Sequence, residues 1–189
     1  MRSISGRTIL NYLLSFALIL ILACNDDTSV DSTSEQTPFF DLRAFFSEEK
    51  AKHQKIQSFN KTVVLNGKEE IKQLDSLDLN TELALFVESD INKTAWLDKY
   101  SVDSLIDNGQ LRQIRYTAIE DKLNTRLLKV DYTRGQVDSI LIKNESSSVV
   151  AKSEEWLTYF PNKGYRIQHI QQVTSQPEHA LTVDVKFVY

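Results

Sequence analysis

After the first apolar stretch, every glycine of this chain closes a dipeptide that reads as a turn. These are Asn66-Gly67, Asn108-Gly109, Arg134-Gly135 and Lys163-Gly164. Glycine reaches the positive φ that tight hairpin turns require, and Asn-Gly is the strongest short hairpin signal. Pro161 and Pro177 also fall between strands, where a missing N–H costs nothing. Short connections favour antiparallel neighbours, because a parallel crossover needs about a dozen residues or more.

The segments between these turns carry the matching pattern. Thr62–Leu65 and Lys68–Leu74 flank Asn66-Gly67. Leu111–Ile119, Thr125–Tyr132, Val137–Lys143, Val149–Phe160, Tyr165–Val173 and Leu181–Tyr189 read as further strands, with Glu154-Glu155 a potential break. The last is the cleanest: Leu181, Val183, Val185, Phe187 and Tyr189 alternate with Thr182, Asp184 and Lys186. Two stretches have helical spacing instead. Pro38–Lys55 places Phe39, Leu42, Phe45 and Phe46 on one face, with Thr37 as cap. Leu79–Ile91 does the same with Leu79, Leu83, Phe86, Val87 and Ile91, capped by Asp78. The expectation is an α+β domain: two N-terminal helices packed on one face of a twisted antiparallel meander of six to eight strands.

The N-terminus reads as an address. Arg2 and Arg7 precede a 15-residue stretch, Ile9–Ala23, interrupted only by Asn11 and Ser15. That suits a signal-peptide core better than a spanning helix of about 20 apolar residues. Ala23-Cys24 follows, then an abruptly polar segment, with Cys24 the chain's one cysteine. A small residue before a cysteine at this place predicts a bacterial lipoprotein, cut before Cys24 and anchored through lipid on its thiol. The plainer readings are an ordinary signal peptide with a chance cysteine, or an uncleaved anchor. The expected organisation is a signal peptide over 1–23, a polar acidic tether over 24–37 and one domain over 38–189. Without Arg2 and Arg7, 20 basic side chains face 26 acidic ones, a net charge of −6. That charge argues against a nucleic-acid partner.

Motifs that carry chemistry are missing from the sequence. There is no glycine-rich phosphate loop, no G-x-S-x-G elbow and no H-E-x-x-H. No cofactor or metal is expected, although His169 and His179 could meet across the last hairpin. Two patterns remain as candidate surfaces. Arg115, Lys129, Asp131, Asp184 and Lys186 lie on the polar sides of their strands, as a solvated surface or a partner-binding face. Trp156 and Phe160 alternate with Leu157 and Tyr159, so one side is core. The other side is covered by another element or presented to a ligand, which makes Trp156 and Tyr159 candidate aromatic contacts.

The run Cys24-Asn25-Asp26-Asp27 and the segment Leu85–Trp96 resemble small outer-membrane lipoproteins of unknown function found in Bacteroidota. The resemblance implies an acidic post-cysteine segment of the kind that directs some lipoproteins of that phylum to the cell surface. It implies no catalytic residue. The functional expectation is a membrane-anchored, non-catalytic binding or assembly module of the cell envelope, periplasm-facing or at the surface. Its partner would be another envelope protein. The alternative is a carrier or sensor of a lipid or other apolar ligand held between sheet and helices.

Overall fold

Nine antiparallel strands form one sheet in the computed structural model, which describes residues 37–52 and 55–189. The leader, Cys24 and the tether as far as Gln36 lie outside the described residues. Helix α1 (Leu42–Lys52) comes first, followed by the hairpin β1 (Ser58–Leu65) and β2 (Lys68–Leu74). Two short helices, α2 (Leu79–Glu82) and α3 (Ala84–Glu88), and a 3-10 turn at Thr94–Trp96 precede the remaining strands. These are β3 (Tyr100–Asp107), β4 (Gln110–Ala118), β5 (Thr125–Thr133), β6 (Gln136–Ser147), β7 (Ala151–Phe160), β8 (Gly164–Val173) and β9 (His179–Val188).

The order across the sheet is β2-β1-β9-β8-β7-β6-β5-β4-β3. From β3 to β9 it is a plain meander. The N-terminal hairpin then pairs with the last strand, Val63 opposite Val183 and Phe59 opposite Phe187, whose rings meet edge-on at 5.8 Å. The Asn66-Gly67 turn has φ of +48° and +80°, the mirror-image turn whose twist suits a two-residue hairpin.

Three expectations need correction. The sheet has nine strands, not six to eight. The extra one is β3, an edge strand exposed along its length after Tyr100, so it lacks the buried apolar face that marks a strand in sequence. The helices are not two at the N-terminus, because the β1–β2 hairpin separates α1 from the others. Finally, both helices are shorter than their apolar spacing suggested. Helix α1 starts at Leu42, where Asp41 rather than Thr37 accepts a bond, 2.8 Å, from the Ala44 N–H. The Leu79–Ile91 stretch breaks at Leu83, whose φ and ψ of −97° and 5° leave the helical region, and ends at Glu88. Asp78 does cap it, accepting from the Asn80 N–H at 3.0 Å.

The helices cover one face of the sheet, called the inner face below. Phe46 of α1 meets Tyr159 of β7 at 4.9 Å and Phe86 of α3 at 5.3 Å between ring centroids. Phe86 in turn reaches Tyr165 of β8 at 6.0 Å. Each such pair adds about 1 kcal/mol to the burial of its rings. Leu128, Val130, Ile140, Ile142, Leu157, Ile167 and Val185 complete the core. The carboxylates that enter this face are held. Glu49, nearly fully buried, accepts from the Tyr159 hydroxyl at 2.9 Å and pairs with Lys52. Glu82 takes the Tyr165 hydroxyl and the Lys61 ammonium.

Candidate functional site

The candidate site lies on the opposite, outer face, and strand register builds it. Directly opposed residues in an antiparallel sheet share a face. Phe160, Gly164 and Lys186 oppose one another across β7, β8 and β9, and so do Thr158, Arg166 and Asp184. In the first row no side chain stands between the ring of Phe160 and the ammonium of Lys186. A hollow of about 670 Å³ opens there, lined by Thr158, Phe160, Lys163, Arg166, Gln168 and Lys186 among others.

Local chain geometry holds the hollow open. Pro161 and Asn162 (φ +60°) form the turn out of β7, closed by a 3.0 Å bond from the Lys163 N–H to the Phe160 carbonyl. Gly164 follows with φ +139°. A Cβ there would stand 1.9 Å from the Val185 carbonyl oxygen, inside the backbone of β9. Only glycine fits.

Charge is unevenly shared. Lys163, Arg166 and Lys186 bring three cations to the lining against one carboxylate, Asp184. Arg166 Nε donates to Asp184 at 2.8 Å, which fixes the guanidinium in place. Lys163 and Lys186 make no ion pair with any described residue. Phe160, 39% exposed, supplies a ring face beside them. Thr158, Asn162 and Gln168 add hydrogen-bonding groups. The arrangement can bind an anion that also carries an apolar surface; a shared binding pocket needs no reacting group.

The other predicted residues fall elsewhere. Arg115, Lys129, Thr158, Arg166 and Asp184 belong to one transverse row of the outer face, with Leu141 between Lys129 and Thr158. Three strands nevertheless separate Lys129 and Asp131 on β5 from Asp184 and Lys186 on β9, so the five charges do not make one site. Lys129 pairs with Asp131 at 3.1 Å. Burial pushes the Asp131 carboxyl up, but bonds from Gln113, Ser139 and Lys129 outweigh it and hold it below the ordinary range.

Of the two aromatic candidates, Trp156 is on the outer face. Its indole N–H donates to Glu154 at 2.7 Å, and the Lys143 ammonium stands 5.0 Å from its ring centre. The indole bond, helped by Lys143, holds Glu154 below the usual carboxylate range against the opposing effect of burial. Tyr159 is a correction: it is fully buried among Phe45, Phe46 and Phe86 and contacts the core, not a surface.

A second constellation sits at the rim of the inner face. Asn144, Glu155 and His169 oppose one another across β6, β7 and β8. Asn144 Nδ2 donates to Ser89 Oγ at 2.8 Å, and His169 Nδ1 lies 3.0 Å from Glu155. Asn144 Oδ1 is buried with no hydrogen-bond partner among the described residues. These contacts orient the His169 imidazole, and no described hydroxyl bonds its other ring nitrogen. His179 does not join it and lies 3.3 Å from Asn66 instead. Among the described residues no three His, Cys, Asp or Glu side chains are grouped to hold a metal ion.

Sequence reasoning missed Lys163, Gly164, Arg166 and Gln168. The available signal was the Pro161–Gly164 turn, which sets the β7–β8 register and so the row Phe160–Gly164. Compared with known proteins, the chain matches no family model, no curated protein and no solved structure.

Proposed function

We propose that this chain is a lipid-anchored lipoprotein of the bacterial outer membrane, acting as a non-catalytic binding or assembly module of the cell envelope. It faces the periplasm or the cell surface and binds an anionic partner through the outer hollow of β7–β9. The observation that carries this reading is the pair of ammoniums, Lys163 and Lys186, which make no ion pair with any described residue and flank an exposed ring in a hollow whose third cation is already oriented. In a chain of net charge −4, such a cationic concavity runs against the overall balance and favours an anion at that place. The carrier reading has less support, because Phe46, Phe86, Tyr159 and Tyr165 occupy the space between sheet and helices.

Photocrosslinking in intact cells tests the reading. Benzoylphenylalanine replaces Phe160, or Glu70 on β2 as a control, and a fatty-acid probe reports lipidation of the same protein. Adducts are expected from position 160 and not from position 70. They should fall about tenfold when Lys163→Glu and Lys186→Glu are combined. Adducts indifferent to that reversal would remove the binding site, and equal lipid labelling of Cys24→Ala would remove the anchor.

A further inference from the structure

Among the described residues the sheet has two edges with no neighbouring strand, β2 and β3, and they are built differently. Edge strand β2 carries Lys68, Glu69, Glu70 and Lys72, the charges that natural edges use to discourage pairing. Edge strand β3 reads Tyr100-Ser-Val-Asp-Ser-Leu-Ile-Asp107 and has no lysine or arginine. Val102, Leu105 and Ile106 on it are 53%, 57% and 63% exposed. The register shift between β3 and β4 leaves Arg112 unmatched on β4, so the irregularity lies on the inner neighbour and β3 runs straight through it.

We propose that β3 is a self-association edge, where a second copy of this chain adds its own β3 antiparallel and continues the sheet. The strand's own register supports a copy as the occupant. With the two-fold axis at Ser104, Val102 opposes Ile106 of the second copy, Ser101 opposes its Asp107 and Asp103 opposes its Leu105. The apolar pair occurs twice, hydroxyl meets hydroxyl on the axis, and no carboxylate opposes a carboxylate. Moving the axis to Asp103 sets Asp103 against itself. Moving it to Leu105 sets Asp103 against Asp107 twice. Both moves are disfavoured by like charge, so the eight residues of β3 select a central register against a copy of themselves. Val102 and Ser104 share the inner side of the sheet through their partners Tyr116 and Ile114, and alternation puts Ile106 with them. The inner faces of the two copies therefore stay on the same side, as a perpendicular two-fold axis requires.

Cysteine crosslinking of the full chain in its own membranes provides the test. Directly opposed residues of an antiparallel pair have Cα atoms about 4.5–5.5 Å apart, within disulfide reach. On mild oxidation Ser104→Cys should give a disulfide-linked homodimer that the wild-type chain, whose one cysteine is Cys24, does not give. Val102→Cys should crosslink only when co-expressed with Ile106→Cys. Adding Ile106→Lys to Ser104→Cys should reduce the dimer about tenfold, since a lysine on the edge blocks pairing. All these positions are exposed, so folding is retained. No dimer from Ser104→Cys overturns the proposal. So does crosslinking of Ser104→Cys to a different protein, or equal dimer from Glu70→Cys on β2.

Discussion

Two neighbouring residues of β9 separate the two sides of this molecule. Val185 is 1% exposed and touches the aromatic layer beneath the helices, whereas Lys186 stands in the open hollow on the other face. On the inner side every carboxylate in the ring layer has a fixed partner, as Glu49 has Tyr159 and Glu82 has Tyr165. On the outer side Lys129, Lys143 and Arg166 pair with carboxylates, whereas Lys163 and Lys186 at the hollow make no ion pair with any described residue. The difference divides the work of the sheet. Packing on the inner face makes the fold, so its residues tolerate little change. The outer-face residues of β8 and β9 are more exposed, so substitutions there are expected to cost less stability. Alternation with a period of two makes this division possible within single strands.

Val185→Asp is the strongest test of the division. It would bury a carboxylate opposite Tyr165 and Lys61. Lys61 cannot readily answer it, because its ammonium is held by Glu82 at 2.6 Å. The expected cost is about 3–5 kcal/mol, enough to unfold a domain of ordinary stability. Urea unfolding followed by far-ultraviolet circular dichroism measures it. A change within about 0.5 kcal/mol of wild type, the size of a surface effect, would mean that the inner face is not where stability resides.

Gly164→Ala sharpens the comparison, because Gly164 serves both faces. It lines the hollow on the outer face, yet an added Cβ would collide with the backbone of β9. The backbone must shift, and φ +139° is unfavourable to alanine as well. A loss of about 2–4 kcal/mol is expected in the same urea experiment. The loss should be accompanied by weaker photo-adducts at position 160. A neutral substitution would mean that the β8–β9 approach at this point is loose and the hollow is not held by it.

The parts of the fold that were legible in sequence are those where one residue type has one physical use. Asn66-Gly67 requires a turn, and the alternation from Leu181 to Phe187 requires a half-buried strand; both are found. Asp78 reads as a cap and acts as one. Strand β3 was hidden because an edge buries almost nothing, so Leu105 and Ile106 can be adjacent and both exposed. The break at Leu83 was hidden for the opposite reason: Leu83 is fully buried, and apolar spacing continues across it. The pairing of β1 with β9 joins opposite ends of the described chain, and nothing local announces it. The hollow depends on the combined register of β7, β8 and β9. Asp184 and Lys186 could be picked out one strand at a time, whereas Arg166 and Gly164 acquire meaning only when set beside them.

Lys186→Asp should have the smallest effect on stability and the clearest effect on function. Lys186 is exposed and makes no ion pair with a described residue, so its removal breaks no bond. The new carboxylate would lie two residues from Asp184 on the same face, a repulsion moderated by water and by Arg166. The unfolding free energy should therefore change by no more than about 0.5 kcal/mol. The hollow, in contrast, would hold Lys163 and Arg166 against Asp184 and a second carboxylate, which leaves no excess positive charge. Adducts at position 160 should fall while the folded protein persists at wild-type levels. A destabilised but binding-competent variant would invert the assignment, making Lys186 a structural residue and moving recognition away from β9. Unchanged stability with unchanged adducts would keep the two-faced sheet and remove charge as the basis of recognition, leaving Phe160 as the part of the hollow to vary next.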